Sequence, residues 1–524
     1  MSLYSVIRAP KDDGMPFSDF GFIKDLGLYN LFDLHTNTAA GEPEIRLEEF
    51  FTSDPDTMRM RQDMFSELIG DPGLFSRLCE SFDGLNSLFG LQKEKDAAPS
   101  QETLLLSVLE LEAYIDCMDG IRGIFSEHNV RSELLIGLWK TLEPLCTGEQ
   151  YGRMRKEVKD QVCSVRNIRS ISVGINLDAQ MRPTEAGVLG VHEESYRSGD
   201  LIERLLRLDM KNDGFTCSAP LYPVNRKTDK QEQLALRFSV NSALNKIFSS
   251  ALHSWSHTVK SYVISSLRDM AAAVTEWKFV SACVNTLMKL KSKGYPLCRA
   301  ALGEEDNVRG LYHPVLALLR SDEQKEHVVK NDLDFKDAGI YILTGPNQGG
   351  KSVYTQAVGI LYAMFHLGLP LPAESATLRP VDAILTHFIE SGQTSYRHGR
   401  LSAECDRLYK INQSISENSL FLFDEALSST NPAEAAAISS EIIRAYSEIG
   451  ARGIWTTHFH ELCGLAKEPS GSSRIGALTA SIDERSHERQ FRIVPGDGYD
   501  QSYAADIAGK YGLSKDDIVK ASKR

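Results

Sequence analysis

Eight consecutive residues concentrate the chemistry of this chain: Gly345-Pro346-Asn347-Gln348-Gly349-Gly350-Lys351-Ser352. Glycines at that spacing let backbone N–H groups close around an anion, and a lysine and a hydroxyl follow at once. Lys351 has the reach for the β- and γ-phosphates of a nucleoside triphosphate, and the Ser352 hydroxyl is a ligand type suited to Mg2+. The string follows the apolar, β-branched run Ile340-Tyr341-Ile342-Leu343 and precedes a helical pattern from Ser352 to about His366. Strand, glycine-rich loop and helix in that order aim the positive end of a helix at the anion.

Two later stretches supply what a phosphate loop lacks. Leu420-Phe421-Leu422-Phe423 is a buried-type strand that ends in Asp424-Glu425. Hydrolysis needs both carboxylates: Asp424 for the Mg2+ shell, Glu425 to orient or deprotonate the attacking water. Ile454-Trp455-Thr456-Thr457-His458 is another strand running into a histidine. At the carboxyl end of a strand, where open α/β sheets bind ligands, His458 can sense a γ-phosphate.

The elements that must position these groups belong to a chain of 524 residues, too long for one core. Hydrophobic residues make up 42% and charged residues 25%, which is globular composition. No apolar run reaches bilayer length and the first residues carry no secretory signal, so no membrane is expected. Nine scattered cysteines without a Cys-x-x-Cys pair fit a reduced, cytoplasmic setting. A net charge of −13 excludes coating of nucleic acid by bulk attraction, though not a local basic patch or a ring closed around a duplex.

From the start of the chain, Asp56 to Leu88 has apolar residues at helical spacing, broken at Asp71-Pro72-Gly73. Charged Leu91 to Ser100 reads as a surface loop, and Glu102 to about Met118 as the next helix. Arg153, Arg155, Lys156, Lys159, Arg166 and Arg169 then crowd together in an otherwise acidic protein. Ser170 to Leu177 alternates at period two, turns at Asp178 to Pro183 and returns along Ala186 to Val191. This is a β-hairpin with a basic approach, or else solvated helix faces beside a structural hairpin. Asp213 to Gln233 reads as a loop. From about Leu234 to Lys293 there is neither glycine nor proline. If continuous, those sixty or so residues make a helical rod of roughly 90 Å, with a break possible near Ser265.

Residues from about 328 to 524 resemble the ATPase domain of the MutS family of DNA mismatch-repair and recombination proteins. The resemblance rests on Asn331-Asp332-Leu333, Thr344 to Ser352, Pro372-Ala373-Glu374-Ser375-Ala376, Asp424-Glu425, Ser428-Ser429-Thr430 and Thr456 to Leu462. Pro495-Gly496, Ser502-Tyr503-Ala504, Ile507-Ala508 and Gly512-Leu513 are similar to the family's closing segment. Upstream, Arg61-Gln62 resembles the family's core helices, and Gly310-Leu311-Tyr312-His313-Pro314 its entry to the ATPase domain. The resemblance implies a multidomain fold: a helical core over 1–145, a reduced clamp with a β-hairpin over 146–233, and a lever helix over 234–300. An α/β ABC-type P-loop ATPase domain follows over 301–524. It also implies that Asn331 and Val353 join Gly345–Ser352 around ATP, with Mg2+ as cofactor.

The departures from the family pattern are informative. The family's Phe-x-Glu mismatch wedge has only two spellings here, Phe65-Ser66-Glu67 and Phe125-Ser126-Glu127, both in helix-like context and both read as accidental. The chain is therefore expected to begin at the helical core, without a mismatch-recognition domain. Val328 stands where relatives often stack an aromatic on adenine. The signature segment is shortened to Gly399-Arg400-Leu401-Ser402-Ala403-Glu404, with Arg400 and Ser402 as the groups offered across a dimer. The expected function is a DNA-repair or recombination ATPase acting as a nucleotide-switched homodimeric clamp on double-stranded or branched DNA. The alternative is an ABC-type nucleotide-dependent scaffold that does not itself recognise DNA.

Overall fold

The computed structural model describes residues 5–7, 17–34, 45–97, 103–149, 151–156, 169–181, 183–197, 215, 217, 264–320, 328–388, 400–469, 471–482, 489–496 and 518–519. The helices are α1 (Gly21–Asp25), α2 (Leu28–Leu31), α3 (Pro55–Gly70), α4 (Pro72–Ala97), α5 (Thr103–Glu127) and α6 (Glu133–Thr147). They continue with α7 (Ile264–Ser292), α8 (Pro314–Leu319), α9 (Lys351–His366), α10 (Arg400–Asn412) and α11 (Pro432–Ile449). The strands are β1 (Ser170–Leu177), β2 (Pro183–His192), β3 (Ala300–Leu302), β4 (Asn307–Leu311), β5 (Asn331–Asp334) and β6 (Ile340–Thr344). Then come β7 (Ser375–Leu378), β8 (Ile384–His387), β9 (Leu420–Asp424), β10 (Arg452–Thr456), β11 (Ile475–Ile482) and β12 (Arg489–Pro495).

Packing divides the chain into two compact units that do not follow chain order. One comprises Met1–Val6, Pro72–Arg131 and Leu135–Trp277; the other comprises Ile7–Asp71, Ser132–Leu134 and Lys278–Arg524. In the first unit α4 and α5 approach closely where side chains are smallest. A Cβ on Gly84 would lie 2.5 Å from Cys117 Sγ, and one on Gly120 would lie 3.3 Å from Ser81 Oγ. Phe82 stacks on Trp277 with centroids 4.7 Å apart. Helix α4 runs to Ala97, which corrects the loop expected over Leu91–Ser100. Gln, Lys and Glu are good helix formers, and the first helix breaker is Pro99. Helix α5 likewise extends past Met118 to Glu127. The expected hairpin is present as the antiparallel pair β1–β2, with a register shift between Ser172 and Val173. Of the expected rod, α7 covers the last part; residues 234–263 and most of the 213–233 loop lie outside the described residues.

The second unit is built on a six-stranded sheet in the order β12-β11-β6-β10-β9-β8, parallel except for the antiparallel edge β12. Its hydrophobic face gathers Phe421, Phe423, Trp455 and Tyr446 in one buried cluster beneath α10 and α11. Helix α11 has clear local causes. Asn431 Oδ1 accepts from the Ala433 N–H, Pro432 occupies the first turn, and Gly450 closes the helix at φ +94°. A second sheet, β3-β7-β4-β5, carries Asn331. The segment 17–71 packs in this same unit: Phe50 stacks on Phe279, and buried Arg61 donates from Nε to the Ile7 carbonyl at 2.7 Å.

Candidate active site

The strand order decides which motifs meet. With β6 beside β10 and β10 beside β9, all parallel, the carboxyl ends of three motif-bearing strands open side by side. The loop after β6 is Gly345–Gly350, that after β10 carries His458, and β9 ends in Asp424 with Glu425 following. The Glu425 N–H donates to the Thr456 carbonyl at 2.9 Å, and the Thr457 N–H to the Leu343 carbonyl at 3.0 Å, so the three loops are joined by backbone. The hydroxyls of Thr355 and Thr456 meet at 2.9 Å, fastening α9 to β10.

Glycine is required at two places in the loop. Gly345 has φ +126° and a Cβ there would sit 2.9 Å from the Ala480 backbone nitrogen. Gly350, at φ +93°, is the residue from which α9 starts. Gln348 and Glu425 hold positive φ without being glycines, at +61° and +52°. Such backbone is costly and concentrates at working sites.

Lys351 is buried, and its Nζ donates to the carbonyls of Gly345 at 2.9 Å and Pro346 at 3.1 Å. Burial pulls its ammonium below the usual lysine range, while Glu425 and Asp424 push the other way. Asp424 is raised above the ordinary carboxylate range, first by burial, against the hydroxyl of Ser352, which bonds to it. Its Oδ1 is buried with no hydrogen-bond partner among the described residues. Glu425 moves in the opposite direction. Its Oε1 accepts from His458 Nε2 at 2.5 Å, and that hydrogen bond is the largest cause holding the carboxyl below its ordinary range. Two adjacent carboxylates thus have different electrostatic settings.

A cavity of about 500 Å³ adjoins the loop, lined by Asn347–Val353, Glu425 and Asn331, with Leu316, Val328 and Phe491 among its apolar walls. Asn331 Nδ2 donates to the Phe491 carbonyl at 3.2 Å, and its Oδ1 accepts from the Ile493 N–H at 2.7 Å. Phe491 (φ +55°) lies against Gly350, where a Cβ would sit 3.5 Å from its ring. Phe491 was not legible in the sequence; the one available signal was the alternation along Arg489–Pro495.

Of the expected cross-dimer groups, Ser402 is not among the residues that line the cavity. Ser402 is exposed in the first turn of α10, and Arg400 opens that helix; the preceding Gly392–Gly399 lies outside the described residues. Of the six basic candidates, Lys159 and Arg166 also lie outside. Arg153 pairs with Glu149 at 2.5 Å and Arg155 Nε donates to Asp119 at 2.8 Å, so part of that positive charge is locally balanced. Lys156 is exposed, and the Arg169 N–H extends the hairpin ladder by donating to His192. The two Phe-x-Glu strings are helical, as expected: Phe65 is buried in α3, and Phe125 stacks on Trp139 at 4.9 Å. The closing motifs at 502–513 lie outside the described residues.

Residues 341–524 match the family model for MutS domain V. That match, with the relatives below, supports a MutS-family reading and places residues 341–524 in the family's domain V. It is 31% identical over 216 residues to the DNA mismatch repair protein MutS of Halothermothrix orenii, covering 40% of this chain and 23% of that protein. Similarity to the MutS of Chlorobium phaeovibrioides is 25% over 402 residues, covering 74% of this chain and 45% of the relative. Endonuclease MutS2 of Ligilactobacillus salivarius is 24% identical over 458 residues, or 85% of this chain and 51% of the relative. The chain thus spans from under a quarter to about half the length of these MutS and MutS2 relatives. Among the described residues no helix is long and apolar enough to cross a membrane.

Proposed function

We propose that this MutS-family chain is an ATPase whose site is the loop between β6 and α9. One observation carries the reading: the β6–β10–β9 order, which joins Lys351, Asp424, Glu425 and His458 at one edge of a parallel sheet. ATP would lie with its phosphates in Gly345–Ser352 and its base toward Val328 and Phe491. The residues fit Mg2+: the buried Asp424 Oδ1 has no partner among the described residues, and the Ser352 hydroxyl bonds to the same carboxylate. Bound there, the metal would supply charge neutralisation at the β- and γ-phosphates.

The chain's own groups carry the rest. Loop N–H groups and the N-terminus of α9 hold the phosphates, and Lys351 exchanges its carbonyl contacts for phosphate oxygen. Glu425, kept ionised by His458, accepts the proton of an in-line water. His458 thereby acts through Glu425 as well as facing the γ-phosphate. Glu425→Gln should leave ATP binding nearly intact and stop turnover, read by equilibrium binding and single-turnover phosphate release. A variant that turns over near the parental rate removes Glu425 from this role.

For the whole protein we propose a DNA-repair or recombination ATPase working as a homodimer, with the domain layout 1–145, 146–233, 234–300 and 301–524. Support for the DNA reading comes from the names of the MutS and MutS2 relatives and from the basic approach to the β1–β2 hairpin. Support for a site shared across a dimer comes from exposed Ser402 on α10. Competition among homoduplex, mismatched and branched DNA, with and without ATP, tests the preference.

A further inference from the structure

Edge strand β12 crosses the phosphate loop. Positions 489, 491 and 493 are where it does so. At each, the strand meets the site: Arg489 Nη1 donates to Gln348 Oε1 at 2.6 Å, Phe491 lies against Gly350, and the backbone at Ile493 is tied to Asn331. The paired Asn331 hydrogen bonds fix the register of β12, and Phe491 holds a left-handed backbone there. Arg489 is therefore directed at the crown of the loop by a built strand.

We infer that Arg489 is a second cation of the phosphate loop, a nucleotide-binding residue that engages the polyphosphate of ATP from β12. Its visible partner is a neutral amide, which occupies one of five N–H donors and brings no negative charge. No ion pair ties Arg489 to a carboxylate among the described residues. Lys351, the loop's own cation, faces both Asp424 and Glu425, so a strongly anionic triphosphate gains from further positive charge. A planar guanidinium fork suits phosphate oxygens, and Gln348 pre-orients it. Sequence motifs do not reveal this residue, because it follows the loop by well over a hundred positions and belongs to no phosphate-loop string.

The inference rests on the nucleotide reading of the loop, and the experiment separates the two. Full-length parent, Arg489→Gln and Arg489→Lys are titrated with ATP and with AMP over a KCl series, with thermal unfolding recorded for each. A charge-assisted hydrogen bond supports a loss of about tenfold in ATP affinity for Arg489→Gln. The loss should come with a shallower salt dependence, a smaller effect on AMP, and substantial recovery in Arg489→Lys. Parental ATP affinity and salt slope in Arg489→Gln would overturn the role of Arg489 alone. So would an equal loss for ATP and AMP, or failure of Arg489→Lys to recover affinity while it unfolds at the parental temperature. A parent that binds no ATP would overturn the nucleotide reading together with it.

Discussion

His458→Ala should move the acidic limb of the ATPase pH profile upward. In the parent, Glu425 is held below the ordinary carboxylate range chiefly by the 2.5 Å hydrogen bond from His458 Nε2, with the charges of His458 and Lys351 adding to it. Burial acts against them, so deleting the imidazole leaves desolvation opposed mainly by Lys351. A hydrogen bond to a charged group is worth about 1.5–3 kcal/mol, and about 1.4 kcal/mol corresponds to one pH unit. The Glu425 side chain is 30% exposed, which calls for the lower end of that range. The expected displacement is thus about one pH unit. The sign follows from the role: a base works deprotonated, so raising its pKa takes activity away first on the acid side. Initial rates at saturating and subsaturating ATP, from below the ordinary carboxylate range up to about pH 8, give the kcat and kcat/KM limbs. A variant that is slower at every pH, with its acidic limb where the parent has it, would refute the coupling and leave His458 as a γ-phosphate contact only.

Three further outcomes are expected. Ser402→Arg, in the exposed first turn of α10, should abolish ATP-dependent tightening of the dimer while leaving ATP binding to the single chain; sedimentation with and without nucleotide checks this. Replacing Arg153, Arg155, Lys156 and Arg169 by Glu should weaken DNA binding steeply, since each lost phosphate contact removes about 0.9 from the slope of log K against log salt. Basal ATPase should survive, and unchanged binding across the series would make the patch a solvated face. Acid should destabilise the fold: His366 and His387 are buried and lowered to about 4, whereas the unfolded imidazoles titrate near 6.5, so stability is complete above that value and falls as pH drops toward 4. At pH 5 the loss is about 2 kcal/mol for each, measurable by urea titration, and His366→Gln should remove about half of the pH slope.

The motif strands were legible because each couples a buried run to a chemical end. Ile340–Thr344, Leu420–Asp424 and Arg452–Thr456 fall where the apolar runs place them, and the loop is followed at once by its helix. Adjacency was not legible. That His458 bonds to Glu425 follows from β10 lying beside β9, a sheet order that no local pattern encodes. Phe491 and Arg489 were hidden for the same reason, since β12 is set beside the loop by its pairing with β11. The error at Leu91–Ser100 is of another kind: charge was read as loop, where Leu91–Ala97 holds neither glycine nor proline and should have decided for helix.

The domain boundary drawn from motifs and the boundary drawn by packing differ, and the cause lies in α9. Thirteen of its sixteen residues are buried, which makes it apolar on all sides instead of along one stripe. A helix with only a sheet beneath it would expose its far side. Here the segment 17–71 supplies the cover: a Cβ on Gly359 would lie 2.6 Å from Leu26, Gly368 approaches Arg61, and Phe17 packs edge-on against His366. The same histidine is locked into one tautomer, donating from Nδ1 to the Thr52 carbonyl and accepting the Val381 N–H at Nε2. No phosphate-site motif marks residues 17–71, yet they close the back of the helix whose first residue is Lys351. A fragment beginning at residue 301 would leave that apolar surface in water. The structural unit that holds the candidate site therefore includes the early segment of the chain, whatever the motif spacing implies.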